Sequence, residues 1–530
     1  MSHSCVFIPS TACNDPAALT APLLPTASRG GDNAAAAPAS TAEAGGGHHG
    51  EKRGLKRSLT VVDGVCMVLG VVVGSGIFAT PGVVLVDSGG VPLSALIVWL
   101  CAGVVAYSCC EVYAELGSSI PHAGGDGEYI QLAFGDLLSF VFMWMFFFVS
   151  TGGGIAILIV TFARYTIALL PGMQGASQEQ MELGVRIIGC SFTLLLTAIN
   201  CAGVKAGALV QNILTVTKAL LIAAVVACAP IFVALHGTSV AATNFSQPLP
   251  PISSYNWSRA GAGLVAAVWA FDGWNCLGYL SEELKNPKKD LPRSLSFGML
   301  TAVGICLAVN SAYFCILPLA AVGKSEVVAV EAVEAVFGPP SGRFIAFLVA
   351  LNVLGAANAT LLCHARFFYA KARDGQLFSF LSGVTSGGAP YASLIATGGW
   401  IAVVVFVAAN HLEKLIDYFG IAAWMFYGLV GASLIKLRWD LPDLPRPYKA
   451  SLYPLPGIIV VVASTYLVIS SLVTQLVPSL LSLAFVFAAL PVYFAIRCMR
   501  STACCAASCT KTASTVHIIP ETDARKPLLS

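Results

Sequence analysis

The stretch Val71–Pro81, which reads VVVGSGIFATP, interrupts the first long apolar run of the 530-residue chain. Two glycines and a serine together favour a backbone that leaves the helix and exposes N–H and C=O groups. At membrane depth such groups are tolerated only where protein covers them or where they line a cavity. The stretch is therefore compatible with a broken spanning helix or with a tight helix crossing packed through small residues.

The composition identifies the class of protein. Hydrophobic residues make up 57% of the chain and charged residues only 11%, whereas soluble domains carry about 25% charged residues. Apolar runs of about 20 residues, long enough to cross a bilayer, recur along most of the sequence. We therefore predict an all-α polytopic membrane protein. The net charge of +2 argues against a nucleic-acid partner.

The order of the apolar runs predicts about 12 transmembrane helices. They occupy residues 59–498, between an N-terminal tail at 1–58 and a C-terminal tail at 499–530. The N-terminal tail is rich in Ala, Gly, Ser and Pro and lacks hydrophobic periodicity, which predicts disorder. The predicted inner loops are rich in Lys and Arg and the outer loops are poor in them, so both termini are expected in the cytoplasm.

Sites of modification and of metal binding have weak signals. The sequons at Asn244 and Asn256 lie in the longest predicted outer loop and are candidate glycosylation acceptors. The 17 cysteines lack the paired spacing of zinc sites, so neither a metal nor a cofactor is predicted. Cys504, Cys505 and Cys509 follow the last span beside basic residues and are either a palmitoylation cluster or spare tail cysteines.

A second interruption lies in the sixth predicted span, at Val268–Gly278, which reads VWAFDGWNCLG. A charge such as that of Asp272 costs about 3 kcal/mol or more at the bilayer centre, so it is expected to face a partner or a wet cavity. The first and sixth spans each begin a set of five. Interrupted helices at matching positions in two halves indicate an inverted-repeat transporter with a midplane substrate site. The alternative of a tight helix crossing would require that the interruptions in the first and sixth spans arose independently at matching positions.

Further short motifs accompany these interruptions. In chain order they are Gly74–Phe78 (GSGIF), Tyr113–Gly117 (YAELG), Gly124–Asp126 (GGD), Asn200–Lys205 (NCAGVK), Asp272–Asn275 (DGWN), Glu282–Pro287 (EELKNP) and Ala372–Leu377 (ARDGQL). This order resembles the L-type amino acid transporters, the light subunits of heteromeric amino acid transporters in the amino acid–polyamine–organocation superfamily. The resemblance implies a LeuT-type fold of two inverted five-helix repeats (5+5) plus two further helices.

The resemblance places the substrate between the two interruptions. The helix that resumes after the first break presents unpaired N–H groups and a positive dipole end, which suit an α-carboxylate. Carbonyl groups before that break and around the second one suit an α-ammonium. The predicted substrate-binding residues are Gly74, Ser75, Gly76, Ile77, Trp269, Ala270, Asp272 and Asn275.

Four side chains receive roles by the same resemblance, each with an alternative. Trp269 occupies the position of an aromatic gate, or it packs between helices. Asn275 bridges the broken helix and the substrate, or it stabilises its own helix. Asp272 matches the residue type found at this position in family members that accept cationic amino acids, or it only caps the broken helix. Lys205 replaces the sodium ion of sodium-coupled relatives, or it extends to the interface as a loop lysine.

Other charged residues of the spans receive no substrate role. Glu111, His364 and Arg366 lie toward the inner ends of spans and are interpreted as gate or topology charges. Lys218 has no assigned role. No nucleophile–base pair or metal cluster converges in the predicted spans, so an enzyme is not predicted.

The resulting hypothesis is sodium-independent exchange of cationic and neutral L-amino acids by alternating access, in a multi-pass protein of the plasma membrane. The alternatives are a polyamine transporter of the same superfamily and an amino acid sensor that does not transport. Light subunits bind a single-span heavy chain through a cysteine between the third and fourth spans. Residues 171–180 contain no cysteine, so a covalent heavy chain is not expected. The remaining predicted partners are the amino acid substrate and the lipid bilayer.

Overall fold

The computed structural model describes the following residues: 57, 59–171, 176–251, 253, 256–325, 327–385, 387–409, 412–474 and 476–498. The predicted tails, apart from residue 57, lie outside these ranges, as do Cys504, Cys505 and Cys509. Within these ranges the chain is helical apart from turns, loops and one isolated bridge between Leu59 and Leu284.

The first half of the described chain forms nine α-helices and one π-helix. They are α1 (Val61–Val72), α2 (Gly76–Ala79), α3 (Pro81–Asp87), α4 (Pro92–Ser119), α5 (Gly125–Phe134), α6 (Asp136–Met145), the π-helix Phe146–Gly154, α7 (Ile155–Leu169), α8 (Gln178–Ala202) and α9 (Val204–His236).

The second half of the described chain contains two 3-10 helices among its α-helices. The elements are α10 (Ser239–Phe245), α11 (Trp257–Trp269), the 3-10 helix Trp274–Glu283, α12 (Pro287–Ile316), α13 (Leu319–Lys324), α14 (Val328–Phe337), α15 (Pro340–Arg373), the 3-10 helix Ser379–Ser382, α16 (Tyr391–Ala408), α17 (Leu412–Asp440), α18 (Leu455–Thr474) and α19 (Leu476–Phe487).

Within the described residues, 11 helical stretches are long and apolar enough to cross a membrane. The sixth predicted span is not among them, because α11 has only 13 residues and the chain then continues as the 3-10 helix Trp274–Glu283. Counting this broken element gives the predicted number of spans. The prediction of an all-α polytopic membrane protein is confirmed.

Helices at equivalent positions of the two halves pack against one another. The second and seventh spans, α4 and α12, are in contact, as are α7 with α15 and α8 with α16. These pairs correspond to spans two, three and four of each repeat, as expected for two intertwined five-helix units. The last two spans, α18 and α19, pack on α17 at the edge of the repeats.

The start of α1 is fixed by its own sequence and by the sixth span. Thr60 and Asp63 form a capping box, in which the Thr60 N–H donates to Asp63 Oδ2 at 2.8 Å and the Asp63 N–H to Thr60 Oγ1 at 3.4 Å. Just before it, the Leu59 N–H donates to the Glu283 carbonyl and the Lys285 N–H to the Leu59 carbonyl, both at 2.9 Å. The chain therefore enters the first span attached to the end of the sixth.

The expectation that Asn244 is a glycosylation acceptor is wrong. Asn244 is buried, and its amide nitrogen donates to the carbonyls of Phe314 at 2.8 Å and Leu317 at 2.9 Å. An acceptor amide must be exposed, and this one is used inside the fold. Asn256, the other candidate, is exposed and caps α11.

Candidate substrate site

The first span is broken where the sequence predicts it. α1 ends at Val72 and α2 resumes at Gly76, and the Gly74 N–H turns back to the Val72 carbonyl at 2.8 Å. In the part of the chain that the structure describes, the N–H groups of Ser75, Gly76 and Ile77 have no protein acceptor. Three adjacent free donors at a helix start form an anion-binding end.

The helix that follows this break is longer than α2 alone. The Thr80 N–H donates to the Gly76 carbonyl at 3.0 Å, and the Val84 N–H donates to the Thr80 carbonyl at 2.9 Å. Helical hydrogen bonds therefore run through Thr80 from α2 into α3. The dipole behind the free donors is that of the whole segment from Gly76 to Asp87.

The second break touches the first through backbone atoms. A Cβ on Gly76 would lie 2.5 Å from Ala270 Cα, and a Cβ on Gly273 would collide with the Val71 side chain. Gly273 also has φ +124°, a conformation that L side chains rarely adopt. Glycine is therefore required at both positions for the two broken helices to meet.

A cavity of about 100 Å³ lies between the breaks. Its walls come from both breaks, from α6 and the π-helix that follows it, and from α7, α15 and α17. Seven of the eight predicted substrate-binding residues line it: Gly74, Ser75, Gly76, Trp269, Ala270, Asp272 and Asn275. The Ile77 side chain belongs to the core instead, being 1% exposed. At Ile77 only the backbone N–H remains a candidate ligand.

Asp272 forms one wall of the cavity and is held by a residue that sequence reasoning missed. The Tyr427 hydroxyl, on α17, donates to Asp272 Oδ1 at 2.7 Å. Tyr427 lines the same cavity and packs on Trp274, with ring centroids 5.1 Å apart. The carboxylate is thus fixed in orientation at the cavity wall.

Asn275 connects the cavity to a buried polar chain. Its amide nitrogen donates to the Tyr279 hydroxyl at 3.2 Å, and that hydroxyl donates to Asp126 Oδ2. The bond between Asn275 and Tyr279 lies within the 3-10 helix, so the helix-stabilising role is present. Asn275 also lines the cavity, so this contact leaves the substrate-bridging role open.

Among the described residues, Lys218 on α9 places a cation beside the first break. Its ammonium donates to the carbonyl of Gly70 at 2.7 Å and to that of Leu69 at 3.3 Å. The sequence interpretation gave this place to Lys205, whose side chain lies outside what the structure describes. Lys205 precedes Lys218 by 13 residues of helix, which is about 20 Å along the axis.

His364 lines the cavity, contrary to its interpretation as a gate or topology charge. Its Nδ1 lies 2.8 Å from Thr151 Oγ1, and its ring is 4.4 Å from that of Phe146. Thr151 lies in the π-helix, an element often found at functional sites. The cavity wall at His364 is therefore aromatic, with the Phe146 ring packed against the imidazole.

Arg366 and Glu111, which the sequence interpretation named as gate or topology charges, are both engaged in buried contacts. Arg366 forms a buried ion pair with Glu283, at the end of the 3-10 helix. Glu111 accepts from the Tyr448 hydroxyl at 2.7 Å and from the Ser451 N–H at 2.6 Å. Neither borders the cavity.

The end of the bundle at which α1 begins is closed by an ionic network. The guanidinium of Arg373 donates to both carboxylate oxygens of Glu282 at 2.8 Å, and His122 Nε2 lies 3.2 Å from Asp374. Burial opposes protonation of His122, but hydrogen bonding to Asp374 and the charges of Glu128, Asp374 and Glu282 outweigh it and raise its pKa.

Known proteins similar to the chain are transporters. The model of the family described as amino acid permease matches residues 59–496. The b(0,+)-type amino acid transporter 1 of Mus musculus is 29% identical over 427 residues, which are 79% of this chain and 84% of the relative. The large neutral amino acids transporter small subunit 2 of Rattus norvegicus is 32% identical over 477 residues, 88% of this chain and 84% of the relative.

The matched region coincides with the helical part of the chain and includes both helix breaks. The relationship that the short motifs indicated is therefore confirmed by similarity along the whole helical region. The chain belongs to the amino acid permease family, in its group of L-type amino acid transporters.

Proposed function

We propose that this chain is a sodium-independent transporter of cationic and neutral L-amino acids, which exchanges one amino acid for another by alternating access. The observation that carries the proposal is the cavity between two helix breaks, with free N–H donors on one wall and a carboxylate on another. The exchange mode follows from the family resemblance alone. The relatives that transport amino acids support the substrate class.

The α-carboxylate of the substrate binds at the first break. The N–H groups of Ser75, Gly76 and Ile77 are unpaired within the described residues, and they begin a helical segment whose positive end faces the cavity. The α-ammonium is received by backbone carbonyls around Ala270 at the second break. A polyamine has no carboxylate for these donors, so this arrangement favours an amino acid over the polyamine alternative.

The substrate side chain is selected by Asp272. A carboxylate at a cavity wall attracts the charged end of arginine, lysine or ornithine more strongly than it would in bulk water, because the surroundings have a lower dielectric constant. Tyr427 fixes this carboxylate through its hydrogen bond of 2.7 Å. Neutral substrates fit because the rest of the wall is largely apolar and aromatic, with Phe142, Met145 and Phe146 among its residues.

Sodium independence rests on Lys218. Its ammonium donates to the carbonyls of Leu69 and Gly70 at the carboxyl-terminal end of α1, where the helix dipole is negative. A fixed positive charge there supplies what a bound sodium ion would supply. We assign to Lys218 the role that the family pattern gave to Lys205, whose side chain lies outside the described residues.

We propose that the protein lies in the plasma membrane. The distribution of Lys and Arg in the loops supports a cytoplasmic position for both termini. The closed network of Arg373, Glu282 and His122 then faces the cytoplasm and forms the inner gate. Trp269, which is half-buried at the cavity, is the aromatic lid on the outer side. A covalent heavy chain is not expected, because residues 171–180 contain no cysteine.

Uptake by proteoliposomes of the purified full-length protein tests this function. Radiolabelled arginine and leucine should enter in sodium-containing and in choline-containing buffer alike, and preloaded internal amino acid should accelerate entry. Loss of uptake without sodium would contradict the role of Lys218. Uptake of a labelled polyamine that zwitterions do not inhibit would favour the polyamine transporter, and binding of amino acid without uptake would favour the sensor.

A further inference from the structure

A second cavity lies away from the substrate site, at the start of α12. It has a volume of about 310 Å³. Three of its lining residues are the cations Lys288, Lys289 and Arg293, on the first two turns of α12, and the loop after α17 contributes Pro447 and Tyr448. The pocket is thus formed by two separate parts of the chain.

The cations of this pocket have no anionic partner in the part of the chain that the structure describes. Lys288, Lys289 and Arg293 are all exposed, and none takes part in an ion pair or a side-chain hydrogen bond there. The neighbouring Asp290 accepts from the backbone N–H of Asn286 at 2.9 Å. Three like charges within two helical turns repel one another, so an anionic ligand would stabilise the arrangement.

The Tyr448 side of the pocket does not supply the missing negative charge. The Tyr448 hydroxyl donates to Glu111 Oε1 at 2.7 Å, and the second Glu111 oxygen accepts from the Ser451 N–H at 2.6 Å. Glu111 is itself buried. Its carboxylate is therefore engaged on the inner side of Tyr448, while the pocket faces outward.

The same face of α12 continues from cations into apolar surface. Lys289, Arg293, Phe297 and Leu300 follow one another at spacings of four, four and three residues, so they share one stripe of the helix. Phe297 lines the pocket and is 60% exposed, and Leu300 beyond it is 55% exposed. About 6 Å of helix separates Arg293 from Phe297. This order of charge and then apolar surface matches a phospholipid, whose phosphate lies at the interface above its acyl chains.

We propose that this pocket binds the phosphate-bearing headgroup of an anionic phospholipid, with an acyl chain against Phe297 and Leu300. The inference rests on the proposed function only for the side of the membrane, since the cytoplasmic ends of spans face the leaflet that carries anionic lipid. Arg293 supplies a guanidinium that can pair with two phosphate oxygens, and the two lysines supply point charges. Basic pockets at the cytoplasmic side of membrane helices bind anionic lipid headgroups.

The test measures lipid retention and does not depend on transport. The full-length protein is placed in phosphatidylcholine nanodiscs that contain a small fraction of phosphatidylinositol 4,5-bisphosphate, and bound lipid is counted by native mass spectrometry. The Lys289→Gln/Arg293→Gln variant should lose about 25-fold in apparent affinity, since each basic residue near an anionic lipid contributes about fivefold. Lys324→Gln/Arg343→Gln, which removes two exposed cations outside the pocket, is the matched control and should change affinity less than twofold.

Three results would overturn the proposal. One is equal retention of phosphatidylcholine and phosphatidylinositol bisphosphate by the wild type. Another is equal loss of affinity in the pocket variant and the control variant. The third is full displacement of the lipid by soluble inositol trisphosphate at equal concentration, which would assign the pocket to a free phosphate compound and leave no role for Phe297. Amino acid uptake by the pocket variant is measured separately, so a misfolded protein is recognised.

Discussion

Replacement of Asp272 by asparagine removes one negative charge from the wall of the substrate cavity and leaves the size of the side chain unchanged. The Tyr427 hydroxyl, 2.7 Å from Asp272 Oδ1, can keep its hydrogen bond to the amide oxygen of asparagine. The packing around the second break is therefore preserved. Any change in uptake then reports the charge and not the shape of the site.

The magnitude follows from the position of the carboxylate. Two unit charges about 4 Å apart interact by about 4 kcal/mol at an effective dielectric constant of about 20. Asp272 is only partly buried, so solvent screening reduces the interaction, and we expect about 2 kcal/mol for a cationic substrate. This corresponds to a loss of about 30-fold in kcat/KM for arginine. Leucine has no side-chain charge, so its kcat/KM should change by less than about threefold.

The assay compares initial rates of arginine and leucine uptake in proteoliposomes that contain equal amounts of wild type or Asp272→Asn. Tyr427→Phe is the companion variant, because it keeps the charge and removes only the hydrogen bond that orients it. Its arginine uptake should fall by about tenfold, which corresponds to the lower end, about 1.5 kcal/mol, of the contribution of a hydrogen bond to a charged group. Equal arginine uptake by wild type and Asp272→Asn would refute the charge argument. So would an equal loss for arginine and leucine.

Three further outcomes are expected. Lys218→Ala should lose most uptake in sodium-free buffer, because the Gly70 carbonyl loses its cationic partner. Lys218→Arg keeps the charge and should retain more uptake. Sodium-free uptake equal to that of the wild type in both variants would contradict the role of Lys218. Gly273→Ala should destabilise the fold by about 2–4 kcal/mol, because its φ of +124° and the Val71 side chain both exclude a Cβ, and a thermal melt checks this. The pKa of His122 is raised in the fold, so its contribution to stability is full below about pH 6 and is lost as the pH rises through the raised pKa. The difference in melting temperature between wild type and His122→Gln should therefore be largest at about pH 5.5 and should shrink by about pH 8.5.

Local sequence signals predicted the breaks, because glycine, serine or a charge within an apolar run has a physical cost that few structures accept. Gly74–Gly76 and Asp272 are such signals, and both lie at the cavity. Lys218 carries the same kind of signal, since it lies in the middle of the apolar run Leu209–His236. Its burial cost could have identified it as a site residue. The family pattern directed attention to Lys205 instead.

Other features of the site depend on contacts that no local pattern contains. Tyr427 is separated from Asp272 by 155 residues and reaches it only because α17 packs near the second break. From its position in the sequence, His364 is interpreted as a charge at the inner end of a span. Only the packing of α15 against the π-helix shows that it lines the cavity. The sequon at Asn244 is defined by three residues and carries no information about burial. It therefore could not predict the hydrogen bonds from Asn244 to the carbonyls of Phe314 and Leu317.

The 3-10 helix Trp274–Glu283 gives a physical reason for coupling between the cavity and the closed end of the bundle. Asn275, near its start, lines the cavity, whereas Glu282 and Glu283, at its end, hold Arg373 and Arg366. A 3-10 helix rises about 2 Å per residue, so roughly 15 Å separates Asn275 from Glu282 along one continuous element. Because the Leu59 N–H also donates to the Glu283 carbonyl, displacement of this element would pull on the start of α1. A displacement of Asn275 would therefore be transmitted through one continuous element to the ion pairs of Glu282 and Glu283 and to the first broken helix.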